Sequence, residues 1–227
     1  GLARADQDVV VLTHGEPGKF YGVTYDHINN LVTYLAMQWD VVIVSRWLDI
    51  LNQPWQARMK VFWTHDMPPG GQLQINANLV FTLTEFHKGA WHIPSEYTRV
   101  VGNGVDLSLY DLDLERNPNK IIWTSNPDRG LPLAARIFQE IRKRWQELEL
   151  HVYGRSSVYG WPAENEKPFL PLPEHMQNVF IYDPLPKHRL ARELLSSWCW
   201  FYPTWWPETY CMAALEAQAA GTPVLAS

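Results

Sequence analysis

A chain of 227 residues, 46% hydrophobic and 19% charged, has globular composition and room for one large domain or two small ones, which excludes a mainly disordered or collagen-like protein. Nineteen Lys and Arg against 24 Asp and Glu leave a net charge of −5, without the basic footprint that general nucleic-acid binding requires. The two cysteines, Cys199 and Cys211, are too few for a disulfide framework and form no C-x-x-C pair for structural zinc, and no apolar run approaches the about 18 residues needed to span a bilayer.

In chain order, short apolar and β-branched runs predict strands at 9–12, 41–44, 61–63, 79–81, 100–101, 121–123, 151–153, 179–182, 200–202 and 224–225. The runs are continuous rather than alternating, which implies strands buried on both faces in a parallel sheet covered by helices. Helical patterns lie between them. One is expected at 26–38, with Asp26 as N-cap. Another, at 131–146, carries the stripe Leu133, Ile137, Phe138, Ile141 and Trp145, with Arg142, Lys143 and Arg144 near its C-terminus. Two more are expected at 186–197 and 209–220. Strands alternating with helices specify an α/β architecture.

The stretch 111–119 is polar, charged and proline-containing, and a new strand follows it at once, so a domain boundary is expected near 106–119. The expected domains are residues 1–108 and 109–227. Four prolines at 162, 168, 171 and 173 mark a long surface excursion over 155–177. Twelve tryptophans are unusual for this length. They fit large buried rings in a core, or platforms on which sugar rings stack.

The segment that bears most directly on chemistry is Pro207-Glu208 through Gly221-Thr-Pro223-Val224. Glu208 and Glu216 sit eight positions apart, which is about 12 Å along a helix axis. A helix N-terminus offers free backbone N–H groups and a positive dipole end, which suit phosphate. Carboxylates accept hydrogen bonds from vicinal sugar hydroxyls. Together these would suit a nucleotide sugar. The same residues also fit a helix with one carboxylate at its start and a second in solvent. The alanines at 213, 214, 217, 219 and 220 imply close packing, on which Glu216 is an unusual charge.

Segment 207–226 resembles the E-x7-E region and the following Gly-x-Pro-Val turn of the retaining glycosyltransferase family 4. Gly102-Asn-Gly-Val-Asp106 resembles that family's "PNGVD" segment. Ile121 to Leu131 resembles the strand, loop and helix start where a basic residue before Gly-Leu meets the donor phosphates. Lys60-Val-Phe-Trp-Thr-His65-Asp66 resembles the strand that ends in the family's histidine, and Thr82-Leu-Thr-Glu85 its "VSE" strand end. The resemblance implies a GT-B fold, two Rossmann-like domains with parallel sheets and a donor cleft served mainly by the second. In that family Glu216 would hold the ribose hydroxyls. Glu208 would sit near the donor sugar, with the backbone N–H groups of Thr209, Tyr210 and Cys211 facing the sugar or diphosphate. Arg129 would neutralise the leaving diphosphate, and His65 would contact donor sugar or acceptor. The resemblance implies no metal and no cofactor beyond the nucleoside-diphosphate sugar itself. It implies transfer with retention in glycan biosynthesis, in the cytoplasm, with peripheral contact at the inner membrane surface where the acceptor is lipid-linked. The acceptor itself, glycan or lipid-linked, stays open.

There are departures from the family pattern. Gly102 stands where the family has proline. The first of the family's two basic positions is Thr124, so Arg155 is the candidate substitute. The chain opens on Gly1 rather than methionine and stops one strand past the last helix, so a fragment lacking both ends is expected. Asp111-Leu-Asp113 matches a metal-diphosphate D-x-D, but its place in the linker makes a solvated acidic turn the better reading. His87 and His92 have no third ligand nearby. Trp205 and Trp206 would border a sugar pocket if exposed and belong to the core if buried. The rival readings are a non-catalytic nucleotide-sugar or glycan-binding module, another GT-B enzyme such as an epimerase, and a purely structural role.

Overall fold

The computed structural model describes residues 2–71, 73–154 and 176–227, apart from the side chain of Arg4. It divides into two compact units, Gly1–Gly102 and Asn103–Ser227.

The first unit holds two sheets. In one, β1 (Val9–Thr13) pairs in parallel with β3 (Val23–His27), and β2 (Gly18–Phe20) adds an antiparallel edge to β3. The turn between β2 and β3 uses Tyr21 and Gly22, both at positive φ. The second sheet is parallel throughout, in the order β4 (Gln38–Ser45), β5 (Gln56–Trp63), β6 (Leu79–Thr82), β7 (Thr98–Val100). Between the strands lie α1 (Leu31–Leu35), α2 (Leu48–Leu51) and α3 (Glu85–Trp91), the last capped by Thr84 accepting from the His87 amide at 3.0 Å.

Three expectations fail in this unit. The helix expected at 26–38 is shorter, because 23–27 is β3; a 3-10 turn at Ile28–Asn30 leads into α1, which ends at Leu35. Asp26 is therefore no N-cap. Its carboxylate accepts from the Tyr34 hydroxyl at 2.7 Å, the Asn30 amide at 2.8 Å and the His27 N–H at 2.7 Å. Burial on both faces fails for β4, where Val42 and Val44 are buried but Val41 and Ile43 are exposed.

The second unit is one five-stranded parallel sheet in the order β10 (Val179–Tyr182), β9 (Glu149–Tyr153), β8 (Asn117–Trp123), β11 (Ser197–Tyr202), β12 (Val224–Ala226). Helices α4 (Leu131–Arg142), α5 (Lys187–Leu195) and α6 (Met212–Ala219) contribute to its core. The central strands β8 and β11 bury Ile121, Ile122, Trp123, Trp200, Phe201 and Tyr202. Each large side chain of this kind removes enough apolar surface to be worth about 1.5–3 kcal/mol. The one charge within that run, Lys120, is buried and satisfied by Glu193 at 2.5 Å and Ser196 at 3.2 Å.

The predicted stripe on α4 is displaced. Its buried face is Leu131, Ala134, Ala135 and Phe138, and the small alanines let the helix approach the sheet. Trp145 lies beyond the helix end, partly exposed, and donates to Asn119 at 2.8 Å. The tryptophans do not all belong to the core. Trp91, Trp123 and Trp200 are buried, while Trp47, Trp145, Trp198, Trp205 and Trp206 are exposed.

Starting at β8, the strand order runs to one side through β9 and β10, then to the other through β11 and β12. In an open parallel sheet, ligands bind outside the carboxyl ends of the strands where the order reverses, and here that point lies between β8 and β11.

Candidate functional site

The loops leaving β8 and β11 meet at this reversal. Pro127–Arg129 forms a single 3-10 turn, started by the Asn126 side chain accepting from the Asp128 amide at 3.1 Å. Gly130 follows at φ 120°, and a Cβ there would lie 2.9 Å from the Pro203 carbonyl. Only glycine suits both that φ and that approach. The Thr204 hydroxyl donates to the Arg129 carbonyl and ties the loops together.

Arg129 reaches Glu208 from this turn. Its Nη1 lies 2.9 Å from Oε1 and 3.1 Å from Oε2, with both side chains largely buried. Its guanidinium also lies 5.3 Å from the centre of the Trp206 ring. Trp205 and Trp206 are thus exposed, and Trp206 borders the charged pair. The Tyr202 hydroxyl donates to Glu208 Oε1 at 2.5 Å and accepts from Ser125 Oγ at 3.3 Å. Burial pushes the Tyr202 phenol well above its ordinary range, and the neighbouring Glu208 adds to that. It therefore stays a donor to Glu208.

Thr124, at the first expected basic position, accepts from the Trp200 indole at 2.9 Å. The Trp200 and Tyr202 rings stack at 4.6 Å, and Trp123 and Tyr202 meet at 4.8 Å. Thr124 thus locks the aromatic layer that carries Tyr202. Arg155, the candidate substitute cation, lies outside the described residues, as does the expected excursion apart from Met176 and Gln177.

Helix α6 begins at Met212, three residues later than predicted, so Glu208, Thr209, Tyr210 and Cys211 belong to the preceding loop. Cys211 stands at the N-cap in the left-handed region, φ 51°. The reason is visible in Tyr210, whose hydroxyl donates to the Asn103 carbonyl at 3.0 Å and so pins the loop to the start of the unit. The Cys211 carbonyl accepts from Ala214 and Leu215, which leaves the Met212 and Ala213 amides outside the helix ladder. Burial pushes the Cys211 thiol up to about 11, and the Glu208 carboxylate adds to it.

Glu216 lies inside α6 and is 5% exposed, a charge on a tightly packed helix as the alanines implied. Its partner is Lys187, the first residue of α5, whose ammonium donates to Oε1. Sequence reasoning missed Lys187 because an isolated lysine at a helix start looks like any solvated cation. The Tyr110 phenol is pushed up to about 12 by burial and by the Glu216 charge. The Asn103–Asp106 segment explains the placement of Tyr110. Asp106 accepts from Ser108 N at 3.1 Å and Ser108 Oγ at 2.7 Å, starting the turn that delivers Tyr110.

The Gly221-Thr-Pro-Val segment closes α6. Gly221 turns at φ 61°, and Arg116 donates to the Ala220 carbonyl at 2.8 Å and to Thr222 at 3.0 Å. The Thr222 hydroxyl donates to the Leu194 carbonyl at 2.7 Å.

In the first unit His65 follows β5. It lines a cavity of about 370 Å³ with Arg46, Trp47, Phe62, Thr64 and Trp91. Burial lowers the imidazole below its ordinary range, and the Arg46 guanidinium lowers it further against the opposing Asp66 carboxylate. His65 is therefore neutral at pH 7. Fully buried His87 accepts from Leu83 N at 3.2 Å on Nδ1, so Nε2 donates to the Asp66 carbonyl at 2.8 Å. It braces the loop that carries His65. Asp111 and Asp113 are exposed, as a solvated turn requires.

Among the described residues no group of three or more His, Cys, Asp or Glu side chains is arranged to hold a metal ion, and no helix is long and apolar enough to cross a membrane.

No curated protein matches the chain. Among solved structures, the chain is similar to AviGT4, a glycosyltransferase involved in avilamycin A biosynthesis. The identity is 16% and the TM-score 0.70, over 100% of this chain and 67% of that one. It is similar to HepE of Anabaena at 12% identity and TM-score 0.64, over 90% of this chain and 67% of that one. A third similarity, at 17% identity and TM-score 0.60, is to sucrose-phosphate synthase from Thermosynechococcus elongatus, over 82% of this chain and 55% of that one. The chain therefore spans 55 to 67% of the length of these proteins. Its two parallel sheets, of four and five strands, match the α/β fold of GT-B glycosyltransferases. Residues 121–227, which carry Arg129, Glu208 and Glu216, match the family model of glycosyl transferases group 1.

Proposed function

We propose that this chain is the sugar-transferring part of a glycosyltransferase that takes a nucleoside-diphosphate sugar as donor and moves the sugar to an acceptor hydroxyl with retention of configuration. The observation that carries this reading is the meeting of Arg129 and Glu208 between the carboxyl ends of β8 and β11, beside the start of α6. A cation, a carboxylate and the N-terminal end of a helix at one strand reversal are what a sugar diphosphate needs.

In this proposal the diphosphate draws Arg129 away from Glu208, and Arg129 with the loop amides stabilises charge on the departing diphosphate. No metal is assigned to that step. Glu208, held by Tyr202, then faces the donor sugar with free acceptor capacity. Glu216 takes the vicinal ribose hydroxyls. His65, as a neutral imidazole, contacts donor sugar or acceptor. HepE of Anabaena is seen in complex with UDP and glucose, and the pneumococcal O-GlcNAc transferase GtfA in complex with UDP and GlcNAc, so uracil is the first base to try. The acceptor is a glycan or a lipid-linked glycan, the latter met at the inner membrane surface in the cytoplasm.

The test is calorimetric titration with UDP, GDP, ADP and dTDP in EDTA, on wild type and Glu216→Ala. Binding of one nucleotide that is lost in the variant supports the donor site and its metal independence. Silence from all four, on this chain and on a longer one, overturns it.

A further inference from the structure

We infer that Lys187 is a positioning residue of the donor site, holding Glu216 so that one carboxylate oxygen is presented to the ribose. The inference rests on the proposed role of Glu216 and adds to it a residue from a different helix.

Glu216 is 5% exposed, and among the described residues its carboxylate has one hydrogen-bond partner, Lys187, through Oε1. Oε2 has no hydrogen-bond partner, yet it is absent from the fully enclosed unpaired atoms, among which are Trp63 Nε1 and Thr82 Oγ1. One oxygen is thus tied and the other open. Lys187 is two-thirds exposed, so its ammonium stays hydrated and needs no carboxylate for its own sake. The carboxylate is the partner that needs the contact, because a buried anion without a counter-charge is costly.

The backbone fixes this pairing. Pro186 precedes Lys187 and sets the start of α5, and the Pro186 carbonyl accepts from Arg189 and Leu190 to hold the first turn. Glu216 sits on the second turn of α6, where it and Ala217 are the buried residues of the helix. The Glu216 carboxylate pairs with the Lys187 ammonium from α5, and the Tyr110 phenol of the 107–110 turn feels its charge. A vicinal diol needs acceptors in a fixed direction, and a carboxylate tethered at one oxygen supplies that at the other.

The test compares UDP, 2′-deoxy-UDP and uridine by calorimetry on wild type, Lys187→Ala, Lys187→Arg and Glu216→Gln. Wild type should prefer UDP over 2′-deoxy-UDP. In Lys187→Ala that preference should fall about tenfold, with uridine weakened as much as UDP, and Lys187→Arg should restore it. Unfolding temperature should fall in Lys187→Ala, because Glu216 is left a buried carboxylate without its counter-charge, and Lys187→Arg should restore it. If Lys187→Ala weakens UDP but not uridine, the lysine meets phosphate and the inference is overturned. An unchanged ribose preference overturns it as well. If Glu216→Gln also leaves the preference intact, the assignment of Glu216 to ribose falls, which separates the two failures.

Discussion

Arg129 Nη1 bridges both carboxylate oxygens of Glu208, at 2.9 and 3.1 Å, across 79 residues of sequence. The pair joins the loop after β8 to the loop after β11. Because both side chains keep some solvent contact, their coupling in a double-mutant cycle of Arg129→Ala and Glu208→Ala should be about 1 kcal/mol in urea unfolding. A coupling near zero would mean that the contact does not hold the loops together.

The two glutamates should separate kinetically. Glu216→Ala should raise the donor KM with a smaller change in kcat. Glu208→Gln should lower kcat by about a hundredfold at similar nucleotide affinity, as expected for a group whose contact matters in the transition state. Steady-state assay with calorimetry checks both. Equal loss of affinity in the two variants would contradict the division.

Tyr202→Phe keeps the ring between Trp123 and Trp200 and removes the hydroxyl between Glu208 and Ser125. The expected loss is about 1–3 kcal/mol of stability, since one of the two bonds goes to a charged acceptor. Denaturant unfolding measures it. A loss in kcat beyond that of Ser125→Ala would assign the effect to Glu208.

A Cβ on Gly154 would lie 2.2 Å from the Ser125 carbonyl, whereas one on Gly104 meets nothing within 4 Å. Gly154→Ala must push back the β8–α4 loop and should cost more than about 2 kcal/mol, against under about 1 kcal/mol for Gly104→Ala. Thermal unfolding of the two variants decides this. Similar midpoints would show that the loop yields without resistance.

Stability should fall in alkali. Tyr110 is pushed up to about 12, Cys199 and Cys211 up to about 11, and Tyr153 and Tyr202 upward as well, chiefly by burial. The unfolded chain loses these protons first, from about pH 8.5 for thiols and about pH 10 for phenols. Their contribution is therefore complete below pH 8.5 and declines as pH rises through the folded values. His65 acts in the opposite direction. Its value is lowered, so its contribution is present above about pH 6.5 and is lost as pH falls through the folded value. Thermal unfolding from pH 5 to 11 should give a plateau between these limits.

Local pattern determined much of this protein. Runs such as Ile121-Ile-Trp123 and Trp200-Phe-Tyr202 mark central strands because they are apolar on both faces, and each of the ten predicted runs falls in or overlaps a strand. Glu216 stood out because an ionisable residue among alanines has few reasons to be there, and it is buried. Strands β2 and β3 were not legible. Gly18–Phe20 is too short to show a period, and Val23–His27 carries Tyr, Asp and His that read equally well as a helix start.

What only the tertiary structure decided are relationships between distant residues. The helix pattern at 209–220 placed Glu208 at the start of α6 and 209–211 within it, but Tyr210 bonds to Asn103, 107 residues away, and holds 208–211 as a loop. Thr124 stands where the family pattern has a cation, and its role is set by the Trp200 indole that donates to it. Lys187 and Arg116 had no distinguishing neighbours in sequence, and their partners Glu216 and Ala220 are supplied by α6. Periodicity records which face of an element is buried. It carries no record of which element lies opposite, and the pairing of charges is settled there.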